Sequence, residues 1–170
     1  SLTGKTPTQP RRSAPPKKTD NDIATYRSTV KTRTAHIKTE LGTIVIRLHS
    51  HLAPRTVGSF VALARKKFYD GLRFHRVVPN FVLQGGDPRG DGWGGPGYSL
   101  RCENNPLPYR SGTVGMALAG KDTGGSQWFI THSPQPHLQG TYSVFGQVMS
   151  GQRVVDSMVV GDKILSITIK

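Results

Sequence analysis

Residues 74–87 read FHRVVPNFVLQGGD, the most informative stretch of the chain. It places Arg76 and Gln84 eight residues apart on two short apolar runs, with aromatic side chains beside them. No nucleophile, metal-binding cluster or phosphate-binding loop accompanies this pair. The combination is typical of a site that binds an apolar group and polarises an amide bond without breaking it.

The runs on either side of this stretch predict a mainly β fold. Eight segments are strand-like, at residues 34–39, 43–49, 72–78, 81–85, 113–118, 127–131, 143–149 and 164–169. Alternation is clearest in residues 43–48 and 164–169, and Leu41-Gly42 gives a tight link between the first two strands. Eight short strands that leave few good edges favour a closed antiparallel β-barrel.

Two helices interrupt the strands, and we expect them to cap the open ends of the barrel. The first covers about residues 53–66, with Pro54 suited to its first turn. The second covers about residues 152–159. Apolar residues spaced along one face are Val57, Phe60, Val61 and Ala64 in the first helix, and Val155, Met158 and Val159 in the second.

Composition divides the chain into two parts. Residues 1–33 are predicted to be a basic, Pro/Lys-rich flexible arm or linker, and residues 34–170 a compact domain. The net charge of +13 is shared, with eight Lys and Arg against two Asp in the arm and fifteen against eight acidic residues in the domain. Nucleic-acid binding through the arm is expected to be weak, because no aromatic residues interleave with Arg11, Arg12, Lys17 and Lys18.

Several classes of protein are disfavoured. No apolar stretch approaches the length of about 20 residues that a membrane span requires. Cys102 is the single cysteine, so it forms no internal disulfide. The chain starts without Met or an apolar signal core, which is typical of a processed product or a fragment. We expect a monomer or the carboxy-terminal module of a longer chain.

Three motifs point to chemistry that their surroundings do not support. Residues 90–95 satisfy G-x-G-x-x-G, but Pro96-Gly97 follows at once, so a surface loop is predicted rather than a dinucleotide site. Ser126 lacks the second glycine of a nucleophile elbow. The six histidines form no helical metal-binding pair. We therefore expect no cofactor and no metal.

Four segments in register resemble the cyclophilins, the prolyl cis/trans isomerases. They are residues 74–87, 112–119, 125–131 and 138–146, and with the flanking strands the likeness covers residues 34–170. The resemblance implies the same capped β-barrel and a peptidyl-prolyl isomerase that assists folding. Its substrates would be proline-containing peptides and unfolded or partly folded proteins.

The resemblance also implies a set of site residues. The residues expected to act in catalysis are Arg76, Gln84, Phe81 and Phe129. Those expected to bind substrate are Val82, Met116, Ala117, Leu118, Gln127, His137, Leu138 and Tyr142. Phe81, Met116, Phe129 and Leu138 would line the proline pocket, and the backbone of Ala117 and Leu118 would pair with the peptide. Taken without the resemblance, Arg76 would more often belong to a surface ion pair.

Two other functions stay open. The same pocket could serve a proline-peptide adaptor in which turnover is incidental, or the basic arm could make the chain a nucleic-acid-associated protein. An intact Arg76 favours the enzyme over the adaptor, since a pure binder has no need of a donor aimed at the amide.

Departures from the common eukaryotic pattern make the chain resemble the bacterial-type cyclophilins more closely. The sequence does not fix the compartment, and of the alternatives we favour the bacterial cytoplasm or periplasm. His137 stands where many eukaryotic members carry Trp, and Tyr142 where they carry His. Val82 replaces a common Met and Leu118 a common Asn. Tyr142 retains an aromatic wall for the proline pocket.

Cyclosporin should inhibit this protein only weakly, because His137 replaces the Trp associated with drug binding in the family. Inhibition of turnover, titrated with the drug, measures this directly. Nanomolar inhibition would contradict the prediction.

Overall fold

The computed structural model describes residues 33–170, which form a mainly β fold with two helices. The strands are β1 (Arg33–Thr39), β2 (Gly42–Leu48), β3 (Arg76–Val78), β4 (Val82–Gly85), β5 (Thr113–Met116), β6 (Trp128–Thr131), β7 (Val144–Ser150) and β8 (Ile164–Ile169). The helices are α1 (Pro54–Arg65) and α2 (Gln152–Ser157), with a 3-10 turn at Pro136–Leu138. A strand lies within or across each of the eight predicted runs. The predicted arm, residues 1–33, falls outside the described part of the chain except for Arg33.

All the strands belong to one antiparallel sheet, in the order β3-β4-β6-β5-β7-β2-β1-β8. The prediction of a closed barrel was wrong, because this curled sheet is open and has β3 and β8 at its two ends. The segments before these strands meet through the bridge between Arg73 and Lys163 and through hydrogen bonds such as that from the N–H of Phe74 to the carbonyl of Asp162 (2.9 Å). Residues 72–75 have no regular strand structure, so the predicted strand 72–78 is reduced to the three residues Arg76–Val78. Within residues 33–170, β3 and β8 are therefore not joined by a ladder of strand hydrogen bonds.

A tight hairpin joins β3 to β4. The N–H of Phe81 donates to the carbonyl of Val78 across Pro79-Asn80 (3.0 Å). Asn80 has a φ of 59°, a conformation that Asn tolerates better than most residues. This short turn sets the pairing register of the two strands.

Helix α1 packs on the sheet through the face that its sequence predicted. Val57, Phe60, Val61 and Ala64 are buried, and Pro54 lies in the first turn. The start of the helix is capped by Glu103, whose carboxylate accepts hydrogen bonds from the N–H of Arg55 (3.1 Å) and of Thr56 (2.7 Å). A carboxylate at this end satisfies free N–H groups and faces the positive pole of the helix dipole.

Helix α2 ends earlier than predicted. Val155 and Met158 are buried as expected, but the chain becomes extended at Met158, so that Val159 is exposed.

The sheet separates two apolar clusters. The main core contains Leu83, Val114, Met116, Trp128 and Ile130 together with the buried faces of the helices. The second cluster contains residues that alternate with these along the strands and residues from nearby loops: Val82, Tyr109, Phe129, Leu138 and Val144. The central strands are therefore apolar on both faces, which is why they read as nearly continuous apolar runs.

Trp128 lies at the centre of the main core. Its ring makes edge-to-face contacts with Phe60 (6.1 Å between centroids), Tyr69 (6.3 Å) and Phe74 (6.0 Å). Its side chain is fully buried (0% exposed), whereas Trp93, the other tryptophan, is 77% exposed.

Trp128→Ala should lower the free energy of unfolding by about 3–5 kcal/mol, because it leaves a large cavity among aromatic rings. Trp93→Ala, the matched control, should change it by no more than about 0.5 kcal/mol. Urea unfolding followed by circular dichroism measures both. Equal losses in the two variants would contradict this account of the core.

Candidate active site

Strand pairing aligns one residue from each of four neighbouring strands in a row across the sheet. Arg76 of β3 pairs with Gln84 of β4, Gln84 with Phe129 of β6, and Phe129 with Gly115 of β5. Directly opposed residues in antiparallel strands project to the same face. The row therefore runs from an exposed cation at the edge of the sheet to a buried aromatic ring near its middle.

Gly115 makes room for the aromatic end of this row. A Cβ at this position would lie 2.5 Å from Cζ of Phe129 and would also clash with the hydroxyl of Tyr109. Phe129 stacks on Tyr109, with ring centroids 5.7 Å apart and an angle of 19°. Burial raises the pKa of Tyr109, so its hydroxyl stays protonated and donates to the carbonyl of Tyr142 (2.9 Å).

A cavity of about 350 Å³ opens over the row. It contains ten of the twelve residues proposed from the sequence: Arg76, Phe81, Val82, Gln84, Ala117, Leu118, Phe129, His137, Leu138 and Tyr142. His137 and Leu138 reach it because of the 3-10 turn, which is too short for a periodic sequence signal. The structure also adds Tyr109, which supports the cavity from beneath and which the sequence analysis missed.

Met116 does not line this cavity, contrary to the sequence-based expectation. Its side chain is 3% exposed and packs in the main core, because consecutive residues of β5 alternate between the two faces.

Gln127 also lies outside this cavity and lines a larger neighbouring one of about 520 Å³. That second cavity is bounded by a glycine-rich loop carrying Trp93, and the two cavities share Gln84, Ala117 and Leu118.

The guanidinium of Arg76 is held by polar and aromatic contacts. Its Nη1 donates to Oε1 of Gln84 (3.3 Å), and its Cζ lies 5.8 Å from the ring centroid of Phe81. Phe81 in turn stacks on His137 (5.7 Å). Within residues 34–170 Arg76 forms no salt bridge, so it is not part of a surface ion pair there; the salt bridge in that range joins Arg89 to Asp91.

His75 does not add a second positive charge beside Arg76 at neutral pH. Burial lowers the pKa of its imidazole below the usual value, and this effect outweighs the opposing influence of Asp87. The positive charge beside the cavity is therefore that of Arg76, which is permanent.

Residues 33–170 give little support for a serine nucleophile, a metal site or a membrane-spanning helix. Ser126 is fully buried and donates to the carbonyl of Gly86 (2.6 Å), so it is not an exposed nucleophile. Within residues 33–170, no three His, Cys, Asp or Glu side chains cluster as metal ligands. No helix there is both long and apolar enough to cross a bilayer.

The curled antiparallel sheet with its two helices is the fold of the cyclophilin-type isomerases. The chain belongs to the cyclophilin-type peptidyl-prolyl cis-trans isomerase family, whose model matches residues 34–167. It is thus a peptidyl-prolyl cis/trans isomerase, and the activity expected from the sequence is confirmed.

Bacterial proteins of similar sequence and solved structures of similar fold carry the same family name. The chain is 52% identical over 137 residues to a peptidyl-prolyl cis-trans isomerase of Synechococcus elongatus, covering 79% of this chain and 94% of that protein. It is 54% identical over 121 residues to peptidyl-prolyl cis-trans isomerase B of Bacillus subtilis, covering 70% and 85%. A cyclophilin-type isomerase of Cryptosporidium parvum superposes with a TM-score of 0.78 at 31% identity, covering 82% and 98%. The same Cryptosporidium parvum protein has been solved in the presence of the dipeptide Ala-Pro.

Gly115→Ala should displace the Phe129 ring, because the added methyl group overlaps it. We expect a loss of about 1–3 kcal/mol in stability from overpacking and a fall of about 10- to 100-fold in kcat/KM from the misplaced ring. Thermal unfolding and an isomerase assay measure the two effects.

Gly95→Ala is the matched control, because no atom lies within 4 Å of a Cβ built there and its φ is not positive. It should leave both quantities unchanged. Wild-type activity in Gly115→Ala would show that the position of Phe129 does not matter.

Proposed function

We propose that Arg76 drives the isomerisation by donating a hydrogen bond to the prolyl nitrogen in the transition state. Rotation about an amide meets a barrier of about 18–20 kcal/mol, because it breaks the conjugation of the nitrogen lone pair. In the twisted state this lone pair becomes a better acceptor, so a fixed donor stabilises that state more than either planar isomer. No bond is made or broken.

The position and surroundings of Arg76 support this role. Its guanidinium carries directed N–H groups and stays charged at every relevant pH. The bond to Gln84 and the Phe81 ring restrict its orientation, so little reorganisation is needed when the substrate twists. A proline ring bound in the adjoining cavity would cover one side of the guanidinium, and the loss of water there would strengthen the interaction of the charge with the amide.

The proline ring would bind against the apolar end of the row. Phe129, Leu138 and Tyr142 offer aromatic and aliphatic walls, with Val82 on the neighbouring strand. The rest of the peptide would run along Ala117 and Leu118. The N–H of Ala117 already donates to the carbonyl of Gln127 (3.0 Å), so we assign pairing with the peptide to Leu118 and to the carbonyl of Ala117.

The proposed substrates are proline-containing peptides and the exposed Xaa-Pro bonds of unfolded or partly folded proteins. The cavities are open clefts at the surface of the domain, which an extended chain can enter without cleavage or unwinding. Assistance to protein folding follows, because uncatalysed Xaa-Pro exchange takes tens of seconds or longer and limits folding.

Arg76→Ala should reduce the catalysed exchange of an Ala-Pro-containing peptide by about 10²–10³-fold, the usual effect of removing one donor from a transition state. Peptide affinity should change little, because the apolar walls remain. Two-dimensional exchange NMR gives the rate, and a titration of the same peptide gives the dissociation constant.

Arg73→Ala is the matched control, because Arg73 is an exposed arginine on the same segment whose Nη1 donates to the carbonyl of Gly161 (2.6 Å). It should retain the wild-type rate. Peptide binding without acceleration by the wild-type chain would favour the adaptor over the proposed catalytic role.

A further inference from the structure

Three side chains form a continuous hydrogen-bonded relay that ends at the proposed catalytic arginine. Nη1 of Arg76 donates to Oε1 of Gln84 (3.3 Å), and Nε2 of Gln84 donates to Oε1 of Gln127 (3.2 Å). Nε2 of Gln127 then donates to the backbone carbonyls of Gly92 and Gly94, both at 2.9 Å. The relay therefore connects Arg76 to the anchored loop, which we define as residues 88–94.

The two loop carbonyls fix the direction of every bond in this relay. A carbonyl only accepts hydrogen bonds, so the amide NH₂ of Gln127 must face the loop and its Oε1 must face Gln84. The NH₂ of Gln84 must then face Gln127, which leaves Oε1 of Gln84 facing Arg76. A flipped amide at either glutamine would place two donors or two acceptors together.

The anchored loop is itself held from inside the protein. Asp87 is buried (1% exposed), and its carboxylate accepts hydrogen bonds from the N–H of Arg89 (2.8 Å) and of Gly92 (2.5 Å). Gly94 approaches this carboxylate so closely that a Cβ would overlap it. The carbonyls that Gln127 contacts are thus presented by a loop with a defined position.

We propose that Gln127 is a positioning residue for the isomerisation, orienting the Arg76 guanidinium through Gln84 by reference to the anchored loop. This inference rests on the proposed role of Arg76. It assigns to Gln127 a task other than the substrate contact expected from the sequence, in keeping with its place outside the proline cavity. A residue that orients a transition-state donor affects kcat, whereas one that only contacts substrate affects ground-state binding as well.

Gln127→Met tests the proposal, because Met has a similar length but cannot continue the relay. We expect kcat to fall about tenfold, the effect of losing the order that one hydrogen bond imposes, with KM and peptide affinity within about twofold of wild type. The side-chain N–H signals of Arg76 should shift or broaden in the NMR spectrum of the free protein.

Gln147→Met is the matched control. Nε2 of Gln147 also donates to a backbone carbonyl, that of Ser111 (2.9 Å), and its Oε1 also accepts from a side chain, the hydroxyl of Thr113 (3.0 Å). Gln147 has no part in the relay, so this variant should keep the wild-type kcat and the wild-type signals of Arg76.

A double-mutant cycle separates positioning from an independent role. In an Arg76→Lys background, where the planar donor fork is gone, Gln127→Met should cost less than about twofold further in kcat. A tenfold further loss would overturn the proposal, as would a raised KM with unchanged kcat, or equal losses in Gln127→Met and Gln147→Met. A wild-type chain without isomerase activity would instead contradict the proposed function itself.

Discussion

The pairing register of β3, β4, β6 and β5 is the constraint on which the rest of the site depends. It aligns Arg76, Gln84, Phe129 and Gly115 on one face of the sheet. A slip of one residue in any of these strands would move its site residue to the opposite face. Such a slip would also take the core residues that alternate with the site, including fully buried Trp128, out of the main core, so packing of the core stabilises the geometry of the site.

Because of this register, the side chains of the row pass from exposed at the edge of the sheet to buried near its middle. Arg76 lies at the exposed edge, where its charge remains hydrated, while Phe129 is only 5% exposed and stacks on Tyr109. A substrate amide placed between them would have its apolar ring against Phe129 and its nitrogen toward a cation. Charge and apolar surface are thus adjacent without a buried, unpaired ion, which would be costly.

The sequence predicted the strands because they depend on local patterns, and the resemblance to cyclophilins suggested most of the residues that line the cavity. Short apolar runs located the eight strands, with alternation clearest in residues 43–48 and 164–169. The open ends of the sheet, the place of Met116, the support from Tyr109 and the cap by Glu103 could not be predicted in this way. Each depends on which segments meet in space, such as Glu103 and Thr56, which are 47 residues apart. The start of the domain at residue 34 stays a prediction.

The structure of this chain with a bound Ala-Pro-containing peptide, by crystallography or by intermolecular NOEs, is the sharpest test of the proposed role of Arg76. We expect the proline ring against Phe129 and Leu138, with the guanidinium of Arg76 on the side of the prolyl nitrogen. A proline ring bound instead in the neighbouring cavity beside Trp93, away from Arg76, would contradict it.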